Sequence, residues 1–104
     1  MTEATYFTLA SLLGERRHGY GIIKEAERLS DGRVRLSAGT LYGALERLLR
    51  QGLVAEAGEE IVNGRARRYY TLTGGGERAL QAEADRMRSA VRAVAKVATR
   101  RTAS

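Results

Sequence analysis

The segment from residue 37 to residue 48 limits the fold of this chain more than any other stretch. Its apolar residues recur at the helical period of about 3.6 residues and form one stripe, which consists of Leu41, Leu45 and Leu48. Ser37 is suited to cap the N-terminus of this helix, while Gly39 and Gly43 fall opposite the leucines. Because a glycine costs a helix about 1 kcal/mol relative to alanine, two glycines on an exposed face need a reason. Glycines let a helix backbone approach another surface closely, so the segment is predicted to be a recognition helix.

Charge and composition favour a polyanionic partner. The 104 residues form one small domain with 18 basic and 12 acidic side chains, a net charge of +6, which favours nucleic acid or an anionic membrane surface. The chain has no cysteine and one histidine, His18, so neither a metal site nor a cofactor is predicted. No apolar run reaches the roughly 20 residues that span a bilayer, and residues 1–5 lack the features of a secretory signal. A cytoplasmic location without membrane contact is therefore expected.

The regions on either side of the recognition helix show their own periodicities. Apolar residues at helical spacing predict a first helix that ends at Gly14 and a second helix over residues 21–29, whose Leu29 faces inward. Residues 15–19 between these helices are predicted to form a polar turn. Alternation of apolar and basic residues predicts a very short strand over residues 34–36, immediately before the recognition helix.

A β-hairpin is predicted after the recognition helix. Asn63 and Gly64 are the residues that a type I′ turn prefers, because this turn needs positive φ at both central positions. Folding the chain about this turn pairs Val62 with Arg65, Glu60 with Arg67, and Glu59 with Arg68. The same register, continued to the base of the hairpin, gives a predicted inner face of Ala55, Ala57, Tyr70 and Leu72. The outer face then carries Arg65, Arg67 and Tyr69.

A long C-terminal helix is predicted after Thr73, which is suited to cap it, with a flexible start at residues 74–76 and a frayed tail over residues 99–104. Its apolar residues alternate in steps of four and three and form a seam that consists of Leu80, Ala84, Met87, Val91, Val94 and Ala98. A single projecting helix cannot bury this seam, so a second copy of the chain is the expected partner. A basic stripe without local acidic partners is either solvated or contacts the partner's acidic residues or flanking DNA; it consists of Arg88, Arg92, Lys96 and Arg100.

These elements predict a mainly α fold with a small β-hairpin, that is, an α+β winged helix-turn-helix. The predicted division is a DNA-binding domain over residues 1–73 and a dimerisation helix with a short tail over residues 74–104. No arrangement of nucleophile and oriented base is present, so an enzyme is not predicted. A module that binds another protein is the alternative to a DNA-binding protein.

Five motifs together resemble the PadR family of transcriptional regulators. They are His-Gly-Tyr-Gly-Ile at 18–22, Gly-Thr-Leu-Tyr at 39–42, Leu-Glu-Arg-Leu at 45–48, Gly-Leu at 52–53, and Arg-Tyr-Tyr-Thr-Leu-Thr-x-x-Gly at 68–76. The resemblance implies a homodimeric winged helix that represses transcription from a near-palindromic operator in double-stranded DNA. It also implies a small hydrophobic or phenolic effector as a ligand of some members. The single C-terminal helix resembles the short form of the family, which lacks a large effector domain.

The residues predicted to bind DNA come from three segments and are Ser37, Gly39, Thr40, Tyr42, Gly43, Arg47, Arg50, Arg65, Arg67 and His18. The arginines would contact phosphates, and the residues at the start of the recognition helix would contact bases or backbone. Several alternatives stay open at this point. Gly39 and Gly43 either approach DNA or accommodate a neighbouring helix, Tyr42 either packs in the core or contacts DNA, and His18 either caps the second helix or contacts a phosphate. Arg47, Arg65 and Arg67 either contact DNA or are ordinary solvated residues.

Overall fold

Four helices and one three-stranded antiparallel sheet make up the fold in the computed structural model, which describes residues 1–103. The elements are α1 (Glu3–Ala10), β1 (Arg17–His18), α2 (Gly19–Leu29), α3 (Ala38–Arg50), β2 (Val54–Val62), β3 (Arg65–Leu72) and α4 (Gly74–Ala103). The strand order is β1-β3-β2, with β3 in the centre. This architecture confirms the predicted α+β class. No helix among the described residues is both long and apolar enough to cross a membrane.

The core lies where α1, α2 and α3 meet the base of the hairpin and the start of α4. The predicted stripe of α3 is buried, with Leu41, Leu45 and Leu48 each no more than 1% exposed. Around it pack the other buried members of the core, which are Leu9, Leu12, Ile22, Val54, Tyr70 and Leu80. Because full burial of one such aliphatic side chain contributes about 1.5–3 kcal/mol, this stripe fixes which side of α3 faces outward.

Three local predictions before α3 are wrong. The predicted polar turn contains β1, whose two residues pair with β3, Arg17 opposite Tyr70 and His18 opposite Tyr69. A two-residue strand is too short to show a period of two, so only the sheet it joins reveals it. The predicted strand at residues 34–36 is absent, because the Val34 N–H donates to Ser30 Oγ at 2.9 Å. Leu29, predicted to face inward, is 39% exposed at the end of α2.

The hairpin is confirmed near its turn and corrected near its base. Asn63 and Gly64 have φ of 53° and 76°, and the three predicted pairs nearest the turn are present. A β-bulge between Glu56 and Glu59, where Gly58 has φ of 101°, then shifts the register by one residue. The predicted inner face is therefore wrong on β2: Glu56 and Val54, not Ala57 and Ala55, lie opposite Tyr70 and Leu72.

The start of α4 is tightly packed, so the predicted flexible start is wrong. The Gly76 N–H donates to Thr73 Oγ1 at 3.0 Å, which confirms Thr73 as the cap of α4. Gly76 is buried, and a Cβ atom there would collide with the Leu53 carbonyl oxygen and lie 2.7 Å from Leu72 Cδ1. The glycine thus allows α4 to pack directly against the chain that follows α3.

The far end of α4 is helical to Ala103, so the fraying predicted from residue 99 is wrong for residues 99–103, while Ser104 lies outside the described residues. Beyond Met87, every described residue of α4 is exposed. The domain boundary after residue 73 stays a prediction. The helix starts there, yet its first turns contribute Leu80 to the core.

Candidate nucleic-acid interface

The start of α3 is fixed by its cap. Ser37 Oγ accepts a hydrogen bond from the Thr40 N–H at 3.2 Å and lies 3.0 Å from Thr40 Oγ1. The predicted capping role of Ser37 is thereby confirmed. Since a capped helix N-terminus carries a partial positive charge, the exposed start of α3 favours an anionic neighbour.

The outer face of α3 is flat in its first two turns. A Cβ atom at Gly39 or Gly43 would meet nothing within 4 Å, and both residues are exposed. Within the described part of the protomer, neither glycine accommodates a neighbouring helix, so that alternative is wrong for contacts inside one chain. The backbone of α3 is open to a close approach from outside.

Tyr42 joins α3 to the start of α2. Its side chain is 52% exposed, and its hydroxyl lies 2.6 Å from the position of a Cβ atom on Gly19. Tyr42 therefore belongs neither wholly to the core nor wholly to the solvent. The absence of a side chain at Gly19 lets the ring lie against the backbone of α2 and directs one face of the ring outward.

A cleft of about 600 Å³ lies between this tyrosine and the edge of the hairpin. Its walls come from the start of α2, from α3, and from the turn and β3, and its lining is His18, Gly19, Tyr20, Tyr42, Val62, Asn63, Arg65, Ala66, Arg67 and Arg68. Four predicted residues are thus brought together although 49 positions separate His18 from Arg67 in the chain. Sequence reasoning missed Tyr20, which is 64% exposed, and Arg68. The signal for Tyr20 was its position between Gly19 and Gly21, where the chain leaves the sheet and enters α2.

The other two predicted arginines lie outside the cleft. Arg47 Nη2 donates to Thr5 Oγ1 at 3.2 Å, so this side chain is directed toward α1. Arg50 Nη1 lies 3.8 Å from Glu46 Oε1, a loose and exposed ion pair of the kind that contributes little to stability. Both arginines lie on the exposed side of α3. Arg47 lies at the opposite edge of that side from Tyr42.

His18 lines the cleft and occupies the N-cap position of α2. Its side chain makes no capping hydrogen bond, so the capping interpretation is wrong. The ring lies over Gly21, with Cε1 3.4 Å from the position of a Cβ atom there, and packs edge-on against Tyr69 at 5.5 Å between ring centroids. Burial lowers the pKa of His18, Arg67 lowers it further, and Glu60 partly opposes both effects.

With this geometry established, the chain can be compared with known proteins. The sequence model of the transcriptional regulator PadR-like family matches residues 9–82. The chain belongs to the PadR-like family. Its members are transcriptional regulators and not enzymes, as the sequence predicted. A comparison with curated protein sequences finds no match.

Solved structures agree with this assignment. A PadR-like transcription factor from Bacteroides fragilis is 30% identical, with a TM-score of 0.67 over 86% of this chain and 87% of that one. A PadR family regulator from Clostridium difficile is 24% identical, with a TM-score of 0.75 over 91% and 97%. Bacillus subtilis PadR in complex with operator DNA is 22% identical, with a TM-score of 0.65 over 75% of this chain and 45% of that protein. The winged-helix fold predicted from the sequence is confirmed by these neighbours.

The predicted seam of this PadR-like regulator divides into a buried and an exposed part. Leu80 is 7% exposed inside the protomer's own core, so it offers little surface to a partner. Ala84 and Met87 are half-buried, whereas Val91 and Val94 are 68% and 69% exposed. Ala98 at the end of the seam is also exposed. The exposed part of the seam therefore begins at Val91, about one helical turn after the half-buried Met87.

The basic stripe of α4 has one local partner, contrary to the prediction. Arg88 Nη2 lies 2.6 Å from Asp85 Oδ1 in an exposed ion pair, and this hydrogen bond is the main cause of the lowered pKa of Asp85. The described residues beyond Asp85 include no acidic side chain. Arg92, Lys96 and Arg100 therefore form a basic surface on the exposed half of α4.

Proposed function

We propose that this chain is a sequence-specific DNA-binding repressor that acts as a homodimer on a near-palindromic operator. The observation that carries the proposal is the continuity between the flat outer face of α3 and the arginine-lined cleft beside the hairpin. Gly39 and Gly43 leave the α3 backbone open, and Arg65, Arg67 and Arg68 line the wall next to it. The Bacillus subtilis relative, whose structure contains operator DNA, supports placing a duplex on the corresponding surface.

Each part of this surface has a distinct role in the proposal. Residues at the start of α3, Ser37, Thr40 and Tyr42, contact base edges or the nearby backbone in the major groove. The wing arginines, Arg65 and Arg67, neutralise phosphates, and so does Arg68 from the cleft wall. The hydroxyl of Tyr20 donates a hydrogen bond to a phosphate there. Arg47 and Arg50 reach phosphates from the far side of α3 by exchanging their contacts with Thr5 and Glu46. Phosphate contacts supply affinity and position, and base contacts supply specificity.

The exposed half of α4 supplies the dimer interface in this proposal. Val91, Val94 and Ala98 present an exposed apolar stripe that continues from the half-buried Met87. Residues 74–88 carry three acidic and three basic side chains, whereas residues 89–103 carry four basic and no acidic ones. An antiparallel pairing of two α4 helices separates the two basic halves, and a parallel pairing would place them side by side. Charge therefore favours the antiparallel pair.

A hydrophobic effector, if one exists, has a suitable place beside this interface. An apolar groove of about 510 Å³ lies between α1 and α4, lined by Tyr6, Ala10, Leu13, Leu80, Ala84 and three polar residues. Leu13 in this groove is 57% exposed. An effector bound here would contact both the domain and the helix that orients its partner, which is where binding could alter the spacing of two recognition helices.

The salt dependence of DNA binding tests the proposal. Purified protein is titrated with DNA from upstream of its own gene and with a random duplex, at several salt concentrations. If each protomer neutralises about three to five phosphates, the slope of log K against log salt should be near −5 to −9. Replacing Arg65 and Arg67 together with alanine should flatten the slope by about 3–4, since a dimer then loses four phosphate contacts.

The control is a variant that removes two arginines elsewhere. Arg28 and Arg86 are exposed and each pairs with a glutamate on its own helix, so replacing both with alanine gives the same change in charge. Equal slopes for the two double variants would remove the wing from the interface. Failure to bind either duplex at low salt would instead favour the alternative of a module that docks on another protein.

A further inference from the structure

Four side chains at the foot of the hairpin form a connected group, which we name the wing-base cluster. Its members are Arg16 from the turn after α1, His18 from β1, Glu60 from β2 and Tyr69 from β3. None of the hydrogen bonds or ring contacts within this cluster involves the wing arginines. These contacts join the three strands to the turn that precedes α2. The cluster rests on the proposed function only in the role assigned to it below.

Arg16 is the centre of the wing-base cluster. Its Nη1 donates to the Ala57 carbonyl oxygen at 2.7 Å and lies 2.9 Å from the position of a Cβ atom on Gly58. Its Nη2 donates to Glu60 Oε1 at 3.2 Å. The guanidinium thus binds a carbonyl group of the β-bulge. It also binds the side chain of Glu60, which lies just beyond the bulge.

Tyr69 completes the group from the neighbouring strand. The Arg16 guanidinium carbon lies 4.3 Å from the centroid of the Tyr69 ring, a cation–π contact. The Tyr69 hydroxyl donates to Glu60 Oε2 at 3.1 Å, so both carboxylate oxygens of Glu60 are engaged. His18 packs edge-on against the other part of the ring at 5.5 Å and leads directly into α2.

The part of the hairpin beyond the bulge has little other support. All of residues 59–68 are exposed except Val62 and Arg67, which are half-buried. A bulge bends a strand and increases its local twist, so the direction of this distal wing depends on what holds the bulge. The wing-base cluster contacts the bulge itself and the first residues beyond it. It connects them to the segment that enters α2, and Tyr42 of α3 lies against Gly19 in that segment.

We propose that the wing-base cluster is a positioning device, which fixes the angle of the distal wing relative to α3. It thereby sets the distance between the wing arginines and the recognition helix, and with it the phosphates that both can reach on one duplex. Arg16 and Glu60 are each 47% exposed, and exposed ion pairs contribute little to the stability of a fold. The effect of the cluster is therefore on geometry more than on folding.

Distance measurements between two spin labels test the geometric part without DNA. The chain has no cysteine, so cysteines at Ile61 on the distal wing and at Gln51 after α3 give a specific label pair. Ile61 is 72% exposed, and Gln51 is exposed as well. Dilution with unlabelled protein leaves only pairs within one protomer. The parent protein should give one narrow distance distribution, and Tyr69→Phe and Glu60→Gln should broaden or displace it.

Glu59→Gln is the matched control for both variants. It lies next to Glu60 on the same strand and removes the same charge, but it pairs in register with Arg68 and has no hydrogen bond to the cluster. Its distance distribution should equal that of the parent protein. Thermal unfolding of every variant is recorded in parallel, so that a general loss of structure is recognised.

Binding of the random duplex tests the functional part, because the two glutamates predict opposite results. Removing an acidic side chain near DNA reduces repulsion, so Glu59→Gln should bind more tightly than the parent protein. Glu60→Gln should bind about three- to tenfold more weakly than Glu59→Gln, the range that loss of one ordinary hydrogen bond gives. Tyr69→Phe, which changes no charge, should weaken binding relative to the parent.

The outcomes separate the two proposals. Unchanged distance distributions in Tyr69→Phe and Glu60→Gln would overturn the positioning role whatever the DNA result. Altered distributions with equal affinities for Glu59→Gln and Glu60→Gln would overturn the link between wing angle and binding. If the parent protein binds no DNA, the proposed function fails, while the distance measurements still decide whether the cluster orients the wing.

Discussion

Helices α3 and α4 each contain glycines and an apolar stripe, but they differ in which of these is buried. In α3 the leucines are buried, and Gly39 and Gly43 face open space. In α4 the buried glycine is Gly76, which packs against Leu53, while the valines of the distal half are exposed. What each helix leaves outside indicates what it binds. A bare backbone beside arginines suits a phosphate backbone, and an apolar stripe suits a second apolar stripe.

The comparison also shows that glycine occurs in these two helices for two different physical reasons. At Gly76 the interior of the protomer excludes a side chain, so the cause is visible within one chain. At Gly43 nothing in the described protomer excludes a side chain, so the cause that we propose is a close approach to DNA. Sequence alone assigns both positions the same cost in helix propensity.

The largest effect is expected on the exposed stripe of α4. Aspartates at both Met87 and Val91 would place four carboxylates in a homodimer interface, and an unpaired buried charge costs several kcal/mol. Sedimentation should show a monomer whose circular dichroism stays close to that of the parent protein, because Val91 is 68% exposed in the protomer. Aspartates at Ala90 and Ala93, which are exposed and are not members of the seam, serve as the control. A Met87/Val91 variant that remains a dimer would show that this stripe is not the main interface.

The next effect concerns the open face of α3. Gly43→Leu should raise the free energy of unfolding by up to about 1 kcal/mol through helix propensity, and still weaken operator binding by at least about a hundredfold, or about 2.7 kcal/mol. The side chain would hold the helix out of the groove. Thermal unfolding and DNA titration of the same sample check both signs, and Gly43→Ala should fall between. Unchanged binding with Leu at this position would break the contrast with α4.

A smaller change is expected at the packed start of α4. Gly76→Ala should lower the free energy of unfolding by about 1–3 kcal/mol, because its methyl group would meet the Leu53 carbonyl and Leu72 Cδ1. Gly75→Ala is the matched control, since its Cβ atom would lie 3.5 Å from the Gly52 carbonyl oxygen, an ordinary contact. Urea denaturation of the two variants measures the difference. Equal stabilities would contradict the tight packing assigned to Gly76.

The smallest effect is a pH dependence that arises beside the cleft. Because the pKa of His18 is lowered in the folded protein, the unfolded chain takes up a proton first as the pH falls below 6.5. Stability from this group is therefore complete above 6.5 and declines as the pH falls from there through the lowered pKa. Urea denaturation at about pH 7.5 and about pH 5.5 should show this decline in the parent protein and not in His18→Gln.

Features that depend on neighbours in the chain could be predicted from the sequence. The leucine stripe of α3, the caps Ser37 and Thr73, and the type I′ turn at Asn63 each follow from periodicity or from the φ that a residue accepts. The same reasoning predicted the class of fold and four residues of the cleft. It failed at the β-bulge between Glu56 and Glu59, where the register of the hairpin shifts.

The sequence by itself determined the buried stripe of α3, the helix caps and the hairpin turn, because hydrophobic periodicity and backbone preferences act over a few residues. Only the tertiary structure decided how the elements meet. Arg16 bonds to Ala57 and Glu60, 41 and 44 positions away, Tyr42 lies on Gly19, and β1 exists only because β3 is beside it. These contacts join groups that are distant in the chain, so no local pattern records them. Packing of the core brings them together, and the cleft and the direction of the wing result from that packing.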